Sequence, residues 1–281
     1  MKKISRIVAM ILALMMVFAL VGCSSSGGKT QTEKNYVVGI CQLVQHDALD
    51  AAPQGFMDAL KEELGDKVTF DNQNASGDIP LCATIVGQFV ASEVDLIMAN
   101  ATPALQAAAA TTEIPILGIS VTEYGVALEI DNFSGTVGGN ISGTSDLAPL
   151  DQQAAMVKEW FPDAKVVGLI YCSAEANSKY QVDVMKAELE KLSYTCEVFS
   201  FSDSNDLASV TEAAVAACDV IYVPTDNTVA TTPVSSTISA ALPESPSLPV
   251  RKASALVAAW LPCPSATTIW ATPPARWPPR F

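Results

Sequence analysis

Basic residues and histidine are scarce in this sequence. Lys and Arg together number 16 against 30 Asp and Glu, the formal net charge is -14, and His46 is the one histidine. Nucleic-acid binding needs a basic surface, so this balance argues against a nucleic-acid partner. His46 has no Ser or Cys nucleophile evidently arranged with it, and we interpret it as a surface or cleft-rim residue.

Motifs for covalent, phosphate or metal chemistry are also missing. The sequence has no GxSxG, HExxH or GxxxxGK[ST] pattern, and its seven cysteines form no CxxC pair. Most of the six cysteines after Cys23 lie in apolar context, which is typical of buried small hydrophobic residues. The sequence therefore predicts no catalytic residue, no metal site and no cofactor.

The N-terminus has the pattern of a bacterial secretion signal. Residues 1–22 combine a basic start with an apolar run over residues 7–21, which is too short for a confident membrane span. The run ends in LVGC, which resembles a bacterial lipobox. In a lipobox, cleavage before the cysteine, here Cys23, leaves a thiol that carries acyl chains. Residues 23–35 are expected to be a flexible tether. We expect a lipid-anchored protein on the extracytoplasmic face of the cell membrane; a plain signal peptide with an incidental cysteine is the alternative.

Apolar runs and helical patterns alternate after this tether. Runs that are apolar throughout are typical of strands in a parallel sheet covered by helices on both faces. The stretches that we interpret as strands are YVVGICQLV (36–44), KVTFDNQNA (67–75), VDLIMAN (94–100), IPILGIS (114–120), AKVVGLIYC (164–172), TCEVFSF (195–201) and CDVIYVP (218–224). The sequence predicts the α/β class, with parallel sheets flanked by helices.

Two similar units follow from the same pattern. A stretch rich in Gly, Ser and Asn interrupts the alternation, as a crossover between two units does. We expect a first lobe over 36–122, a crossover or hinge region over 123–150 and a second lobe over 151–231. A weak internal similarity between VDLIMANATPALQAA (94–108) and CDVIYVPTDNTVATT (218–232) supports two lobes that face a cleft.

Polar side chains follow the predicted strands of both lobes. Ligands in open α/β sheets bind beyond the carboxyl ends of the strands, near helix N-termini. Backbone N–H groups and the Thr102 hydroxyl suit a carboxylate, and Asp226 suits an ammonium, so the set favours a small zwitterion. Ser, Thr, Asn and Asp at such positions are also good helix N-caps, and capping is the alternative for each residue.

Several short motifs together resemble one family. They are LVGC, VGICQLVQHDALDAAPQGFMDAL, IMANATPALQAA, PILGISVT, NISGTSDLAPL and IYCSAEANS. The similarity runs from about Cys23 to Thr231. In combination they resemble the ABC-transporter substrate-binding lipoproteins of the tryptophan/tyrosine type. This resemblance implies a two-lobed periplasmic-binding-protein fold of the type I class, which closes over a small ligand by a hinge motion.

The resemblance also implies a ligand, partners and a site. The implied ligand is an aromatic or related amino acid, and the implied partners are a membrane permease and its ATPase. The family commonly has proline where this chain has Asp47, so the contacts near that residue are less well defined. The residues that the resemblance assigns to ligand binding are Thr102, Thr122, Ser173, Asn177 and Asp226.

The tail over residues 232–281 breaks with everything before it. From Thr231 onward there is no glycine, but ten of the 17 prolines and three of the four tryptophans lie there. We expect this tail to be disordered and the second lobe to be incomplete, with exposed sheet edges. When the tail is back-translated and read one nucleotide earlier, it permits a sequence containing GIPVIAG, similar to EIPILGI (113–119). Our hypothesis is a frameshift near Thr231; a genuine divergent tail is the alternative.

Three function classes fit an exported α/β protein of this kind. The sequence favours the solute-binding component of an ABC importer. A ligand-sensing receptor with the same fold is the runner-up, because fold alone does not fix function. An exported enzyme is disfavoured by the missing nucleophile–base pair and metal-ligand spacing.

Overall fold

Two parallel β-sheets form the framework of the protein. The computed structural model describes residues 35–110, 113–232 and 254–256. The expected signal peptide, the lipidation site Cys23 and nearly all of the tether lie outside these residues. The strands are β1 (Tyr36–Gln42), β2 (Val68–Asn74), β3 (Leu96–Asn100), β4 (Ile116–Val121), β5 (Ile141–Ser145), β6 (Val166–Cys172), β7 (Thr195–Phe201), β8 (Val220–Tyr222) and β9 (Ser254–Leu256).

Helices connect successive strands in both sheets, as the alternating pattern predicts. A 3-10 turn over Gly65–Lys67 follows the first helix. The helices are α1 (Asp47–Leu64), α2 (Ile79–Ala91), α3 (Thr102–Ala109), α4 (Tyr124–Ala127), α5 (Leu150–Trp160), α6 (Ala176–Lys191), α7 (Leu207–Ala217) and α8 (Asn227–Thr231).

The four strands of the second sheet follow the same order as the first four strands of the first sheet. The first runs β2-β1-β3-β4-β5 and the second runs β7-β6-β8-β9, and every pairing between these strands is parallel. β8 therefore occupies the place in the second sheet that β3 has in the first. This equivalence agrees with the internal similarity between residues 94–108 and 218–232, and it confirms the predicted α/β class.

Apolar side chains cover both faces of each sheet. In the first sheet, one face packs around Phe89 of α2 and Leu105 of α3. The other face packs around Ile40 and Met98 against Phe56 of α1. The second sheet likewise has a separate apolar cluster on each face. Burial on both faces explains why the strands are apolar throughout.

The caps of α1 show how local sequence sets a helix boundary. The imidazole Nδ1 of His46 accepts a hydrogen bond from the backbone nitrogen of Leu49 at 3.3 Å and caps the N-terminus. Asp47 and Asp50 lie in the first turn, where negative charge suits the helix dipole. The helix ends at Gly65, whose φ of 58° favours glycine.

Two strands lie where the sequence predicts none. β5 falls within the expected crossover and pairs in parallel with β4. Its sequence, ISGTS, has one large apolar residue, because an edge strand does not need two buried faces. β9 falls within the tail at 232–281 and pairs with β8, so β8 has a neighbour on that side. The rest of this tail beyond residue 232 lies outside the described residues.

Within the described ranges, the helices are all too short or too polar to cross a membrane.

Candidate ligand-binding site

Thr102 lies at the carboxyl end of β3, where α3 begins. Its neighbour Ala101 has a φ of 90°, a backbone conformation that residues other than glycine rarely adopt. Thr102 is 2% exposed, and its Oγ1 has no hydrogen-bond partner among the residues that the structure describes. Asn100, which ends β3, is fully buried; its Nδ2 donates to the backbone oxygen of Leu49 at 2.8 Å, and its Oδ1 likewise lacks a partner there. An uncommon backbone geometry and two unpaired polar atoms thus occur within three residues.

Thr122 lies beside this corner, after β4. It is buried, and its side chain lies beside the carboxylate of Asp146. Its backbone oxygen accepts a hydrogen bond from Ser145 Oγ at 2.7 Å. Burial raises the pKa of Asp146, and the neighbouring Thr122 side chain lowers it in part. The strand missed by the sequence analysis, β5, therefore holds Thr122 in place.

Glu175 is the most heavily hydrogen-bonded carboxylate of the second lobe. It is 1% exposed and lies just before α6. One oxygen accepts from the backbone nitrogen and the side-chain amide of Asn227, at 3.0 and 2.6 Å. The other accepts from the backbone nitrogen and the hydroxyl of Thr228, both at 2.8 Å. Four donors from the start of α8 thus hold this buried charge.

Asp226 lies directly beside that pair and is fully buried. Its carboxylate accepts from the backbone nitrogen of Cys172 at 2.7 Å, which joins the loop after β8 to the end of β6. It also caps α8 by accepting from the backbone nitrogen of Val229 at 2.9 Å, and the hydroxyl of Ser178 lies beside it. Burial raises the pKa of Asp226, and the neighbouring charge of Glu175 raises it further.

Asn177 and Ser173 lie at the same end of the second sheet. Asn177 is buried; its Nδ2 donates to the backbone oxygen of Thr225 at 3.0 Å, and its Oδ1 has no partner among the described residues. Gln181, one turn further along α6, donates to the hydroxyl of Thr225 at 2.5 Å. Ser173 is exposed, and its hydroxyl donates to the backbone oxygen of Phe201 at 3.0 Å.

The two lobes meet next to these residues. The side chain of His46, at the N-terminus of α1, lies close to the side chain of Asn227 in the second lobe. α4, which follows β4 in the expected crossover region, also contacts α6 of the second lobe. Burial lowers the pKa of His46, while Asn227 and the nearby carboxylates, including Glu175, act in the opposite direction. His46 is therefore an inter-lobe residue.

The structure brings some of the predicted site residues together. Asn177 and Asp226 both lie beside Ser178, whose hydroxyl accepts a hydrogen bond from Asn177 Nδ2 at 3.3 Å. Thr102 and Thr122 follow the neighbouring strands β3 and β4. Within the described part of the chain, no hydrogen bond joins Thr102 or Thr122 directly to the second-lobe residues.

Sequence reasoning missed Asn100 and Asp146, and it did not assign ligand binding to Glu175. The signal for Asn100 was a polar residue that closes an otherwise apolar strand. Asp146 had no such signal, because it directly follows β5, a strand that the sequence does not predict. The donors of Glu175 lie 52 and 53 residues further along the chain. Such long-range contacts cannot be read from local spacing.

Two α/β lobes with matching parallel sheets, and polar residues where the sheets' carboxyl ends meet, define the type I class of periplasmic binding proteins. The leucine-binding protein LivK of Thermotoga maritima has this fold. It shares 14% identity with this chain at a TM-score of 0.51, covering 67% of this chain and 55% of its own.

The family model for the ABC transporter substrate binding protein matches residues 37–247. The chain belongs to this family, and it is the substrate-binding component of an ABC transporter. This role places it on the extracytoplasmic side, with a small-molecule ligand and a permease as partners. The match continues beyond Thr231, where the composition of the sequence changes.

Two relatives share more than a third of their aligned residues with this chain. The tyrosine-binding protein of Clostridioides difficile is 39% identical over 241 residues, which cover 80% of this chain and 68% of that protein. The solved ABC domain of Streptococcus pneumoniae in complex with L-Trp is 36% identical at a TM-score of 0.69, covering 73% of this chain and 70% of that one.

Proposed function

We propose that this protein binds an aromatic amino acid between its two lobes and delivers it to the permease and ATPase of an importer. The relatives that bind tyrosine and L-Trp support the aromatic class. The acidic, hydrogen-bond-rich end of the second sheet supports a ligand with an ammonium group. We assign ligand binding to Thr102, Thr122, Ser173, Asn177 and Asp226.

The observation that carries this proposal is a set of buried polar atoms without partners. Thr102 Oγ1, Asn100 Oδ1 and Asn177 Oδ1 are all buried, and none has a hydrogen-bond partner within the described ranges. Leaving a buried polar atom unpaired costs about 1–3 kcal/mol. A ligand that supplies the missing partners recovers this free energy on binding.

Each group suits one part of an amino acid. The Thr102 hydroxyl and the backbone N–H groups at the start of α3 suit the carboxylate, because helix N-termini favour anions. The Asn177 Oδ1 atom is an acceptor for the ammonium. The carboxyl groups of Asp226 and Glu175 lie near Asn177 and supply negative charge. Both accept hydrogen bonds from backbone nitrogens, which fix their positions. The other two assigned residues directly follow strands: Thr122 follows β4 in the first sheet, and Ser173 follows β6 in the second.

We also propose a lipid anchor. Cleavage before Cys23 would leave a thiol that carries acyl chains, with residues 23–35 as the tether. Each methylene buried in the membrane contributes about 0.8 kcal/mol, so several chains hold a protein firmly. Mass spectrometry of the membrane-extracted protein tests this: the expected N-terminal peptide starts at a diacylated Cys23, and an unmodified Cys23 contradicts the anchor.

The frameshift near Thr231 remains our hypothesis for the tail at 232–281. Sequencing the gene across the codon of Thr231 tests it directly. An extra or missing nucleotide relative to a frame that encodes GIPVIAG is the expected result, and an uninterrupted frame removes the hypothesis.

A thermal-shift panel tests the ligand class. The purified chain is melted with each of the twenty amino acids. A ligand at about 100 times its Kd stabilises the folded state by about 2.7 kcal/mol, which corresponds to a shift of about 5–10 °C for a protein of this size. We expect tyrosine, tryptophan or phenylalanine to give the largest shift. A larger shift with an aliphatic or charged amino acid contradicts the aromatic assignment.

A further inference from the structure

The hydroxyl group of Tyr124 lies between the last two strands of the first sheet. Tyr124 is buried at the start of α4, two residues after Thr122. Its Oη donates to the backbone oxygen of Gly118 on β4 at 2.9 Å and to that of Thr144 on β5 at 3.2 Å. The single phenol hydrogen is shared between these two carbonyl groups, so one side chain links β4 to β5.

This link crosses a point where the pairing of β4 with β5 is irregular. The register shifts between Gly118 and Val121, and Ser120 in that interval has a φ of 55°. Residues other than glycine adopt this conformation infrequently, so it persists only where the surroundings hold it. Irregularities of this kind redirect the side chains of a strand. Thr122 follows this one directly, and its orientation therefore depends on the irregular segment.

Two glycines leave room for the hydroxyl group. A Cβ atom at Gly118 would lie 2.5 Å from Tyr124 Oη. A Cβ atom at Gly143 on β5 would overlap with the same oxygen and with the Gly118 carbonyl group. Burial raises the pKa of Tyr124, so the hydroxyl group keeps its proton and remains a donor at neutral pH. The residues on both strands therefore fit a hydroxyl donor at this position.

β5 also contacts the chain beyond the irregular segment. The backbone nitrogen of Asp146 donates to the backbone oxygen of Val121 at 3.1 Å. Ser145 Oγ donates to the backbone oxygen of Thr122 at 2.7 Å. The position of Thr122 therefore depends on how β5 lies against β4, and the Tyr124 hydroxyl group fixes that relation because it bonds to both strands.

We propose that Tyr124 is a positioning residue for ligand binding, whose hydroxyl group holds β4 and β5 in the arrangement that presents Thr122 to the ligand. Tyr124 acts through the two backbone carbonyl groups and needs no contact with the ligand itself. Without this link the segment before Thr122 samples more conformations, and the ligand must order it on binding at a cost in affinity. The inference rests on the proposed function, in which Thr122 binds an aromatic amino acid.

Tyr124→Phe tests this role against a matched control, Tyr194→Phe. Tyr194 is also buried, and its hydroxyl group donates to the backbone oxygen of Phe161 at 3.0 Å. It directly precedes β7, at the end of the second sheet opposite to the candidate site. We expect both substitutions to lower the melting temperature by about 2–4 °C, since each removes a buried hydrogen bond of the same kind.

Isothermal titration calorimetry with tyrosine, tryptophan and phenylalanine then separates positioning from general stability. For the amino acid that wild type binds most tightly, Tyr124→Phe is expected to raise the Kd about 5- to 10-fold. Tyr194→Phe is expected to keep the wild-type Kd, although it melts at a similarly lowered temperature. A wild-type Kd for Tyr124→Phe, or an equal rise in Kd for both variants, overturns the proposal.

Gly118→Ala displaces the hydroxyl group by a second route. The added methyl group would lie against Tyr124 Oη and would move it away from its two acceptors. We expect the Kd to rise as it does for Tyr124→Phe, and the double variant to bind no more weakly than either single variant. Increases in Kd that multiply in the double variant overturn the proposal, because they show that the two positions act independently. If Tyr124→Phe does not fold, a wild-type Kd for Gly118→Ala overturns it.

Thr122→Val distinguishes a failure of this inference from a failure of the proposed function. Its Kd is expected to rise at least as much as that of Tyr124→Phe, and a wild-type Kd for Thr122→Val overturns the inference. If Thr122→Val binds weakly and Tyr124→Phe binds as wild type does, only this inference fails. If wild type binds none of the three amino acids, the proposed function fails and the inference fails with it.

Discussion

The carboxylate of Glu175 accepts hydrogen bonds from both the backbone nitrogen and the side-chain amide of Asn227, at 3.0 and 2.6 Å. This pair ties the start of α6 to the start of α8, and it fixes the Asn227 side chain, which lies close to His46 of the first lobe. One buried carboxylate thus orients the inter-lobe contact beside the proposed ligand site.

Replacing Glu175 by Gln is expected to destabilise the second lobe. Gln has the same shape, but its amide nitrogen cannot accept hydrogen bonds, so at least two of the five donors lose their acceptor. We expect a loss of about 1–3 kcal/mol in the free energy of unfolding, measured by urea denaturation. Glu197→Gln is the matched control, because Glu197 is exposed on β7 and its change is expected to stay within about 0.5 kcal/mol. Equal effects of the two substitutions contradict the role of Glu175.

His46 is expected to make the protein less stable as the pH falls. Burial lowers its pKa in the folded state, so the unfolded chain takes up the proton first. Its contribution is present above the ordinary pKa of about 6.5 and is lost as the pH falls through the lowered folded value. His46→Asn keeps an N-cap acceptor but does not titrate. Urea denaturation at pH 7.5 and 5.5 is expected to show a smaller loss for the variant than for wild type. Identical losses indicate that His46 does not titrate in this way.

Asp146 is expected to make the protein less stable as the pH rises, which is the opposite of the effect of His46. Burial raises its pKa, so the folded protein holds the proton more tightly than the unfolded chain. Its contribution is fully present below the ordinary carboxyl pKa of about 4, and it is lost as the pH rises through the raised folded value. Asp146→Asn removes this titration. We expect wild type to lose more stability than the variant between pH 4.5 and 8, and the reverse order contradicts the burial of a charge there.

Gly39 is expected to tolerate no side chain. A Cβ atom at this position would lie 2.6 Å from the ring of Phe89. Gly39→Ala is therefore expected to cost about 1–3 kcal/mol, because a packed core resists added atoms. Gly87→Ala in α2 is the control: nothing lies within 4 Å of its added Cβ, and a helical alanine is expected to stabilise by about 0.5–1 kcal/mol. Differential scanning calorimetry of both variants checks the opposite signs.

Much of the fold could be predicted from local pattern. The apolar runs of β1 and β6 are typical of strands buried on both faces, and the helix that ends at Gly65 has its stop signal in the sequence. β5 could not be found in this way, because ISGTS has neither alternation nor an apolar run. β9 was hidden by the proline-rich composition around it. Strands at a sheet edge are defined by their neighbours rather than by their own residues.

The candidate site was harder to predict than the fold. Thr102 lies at the start of α3 and Asn177 in the first turn of α6, but their unpaired atoms appear only once the surroundings are known. Asp226 was expected to face an ammonium, and it also caps α8 and bonds to the end of β6. Its partner at the end of β6, Cys172, is 54 positions away in the sequence, and its partner in α8, Val229, is three positions away. Local spacing in the sequence can therefore predict the contact with Val229 but not the contact with Cys172.

Isothermal titration calorimetry on Thr102→Val tests the central claim most directly. The hydroxyl of Thr102 is buried and unpaired, so its removal is expected to leave the unliganded protein as stable as wild type or slightly more stable. If the hydroxyl holds the ligand carboxylate, the same change weakens binding of tyrosine or tryptophan by about 1.5–3 kcal/mol, or roughly 10- to 150-fold in Kd. Thr195→Val, on an exposed strand position, is expected to bind as wild type does. Wild-type affinity in Thr102→Val, or no binding of any aromatic amino acid to wild type, would contradict the account.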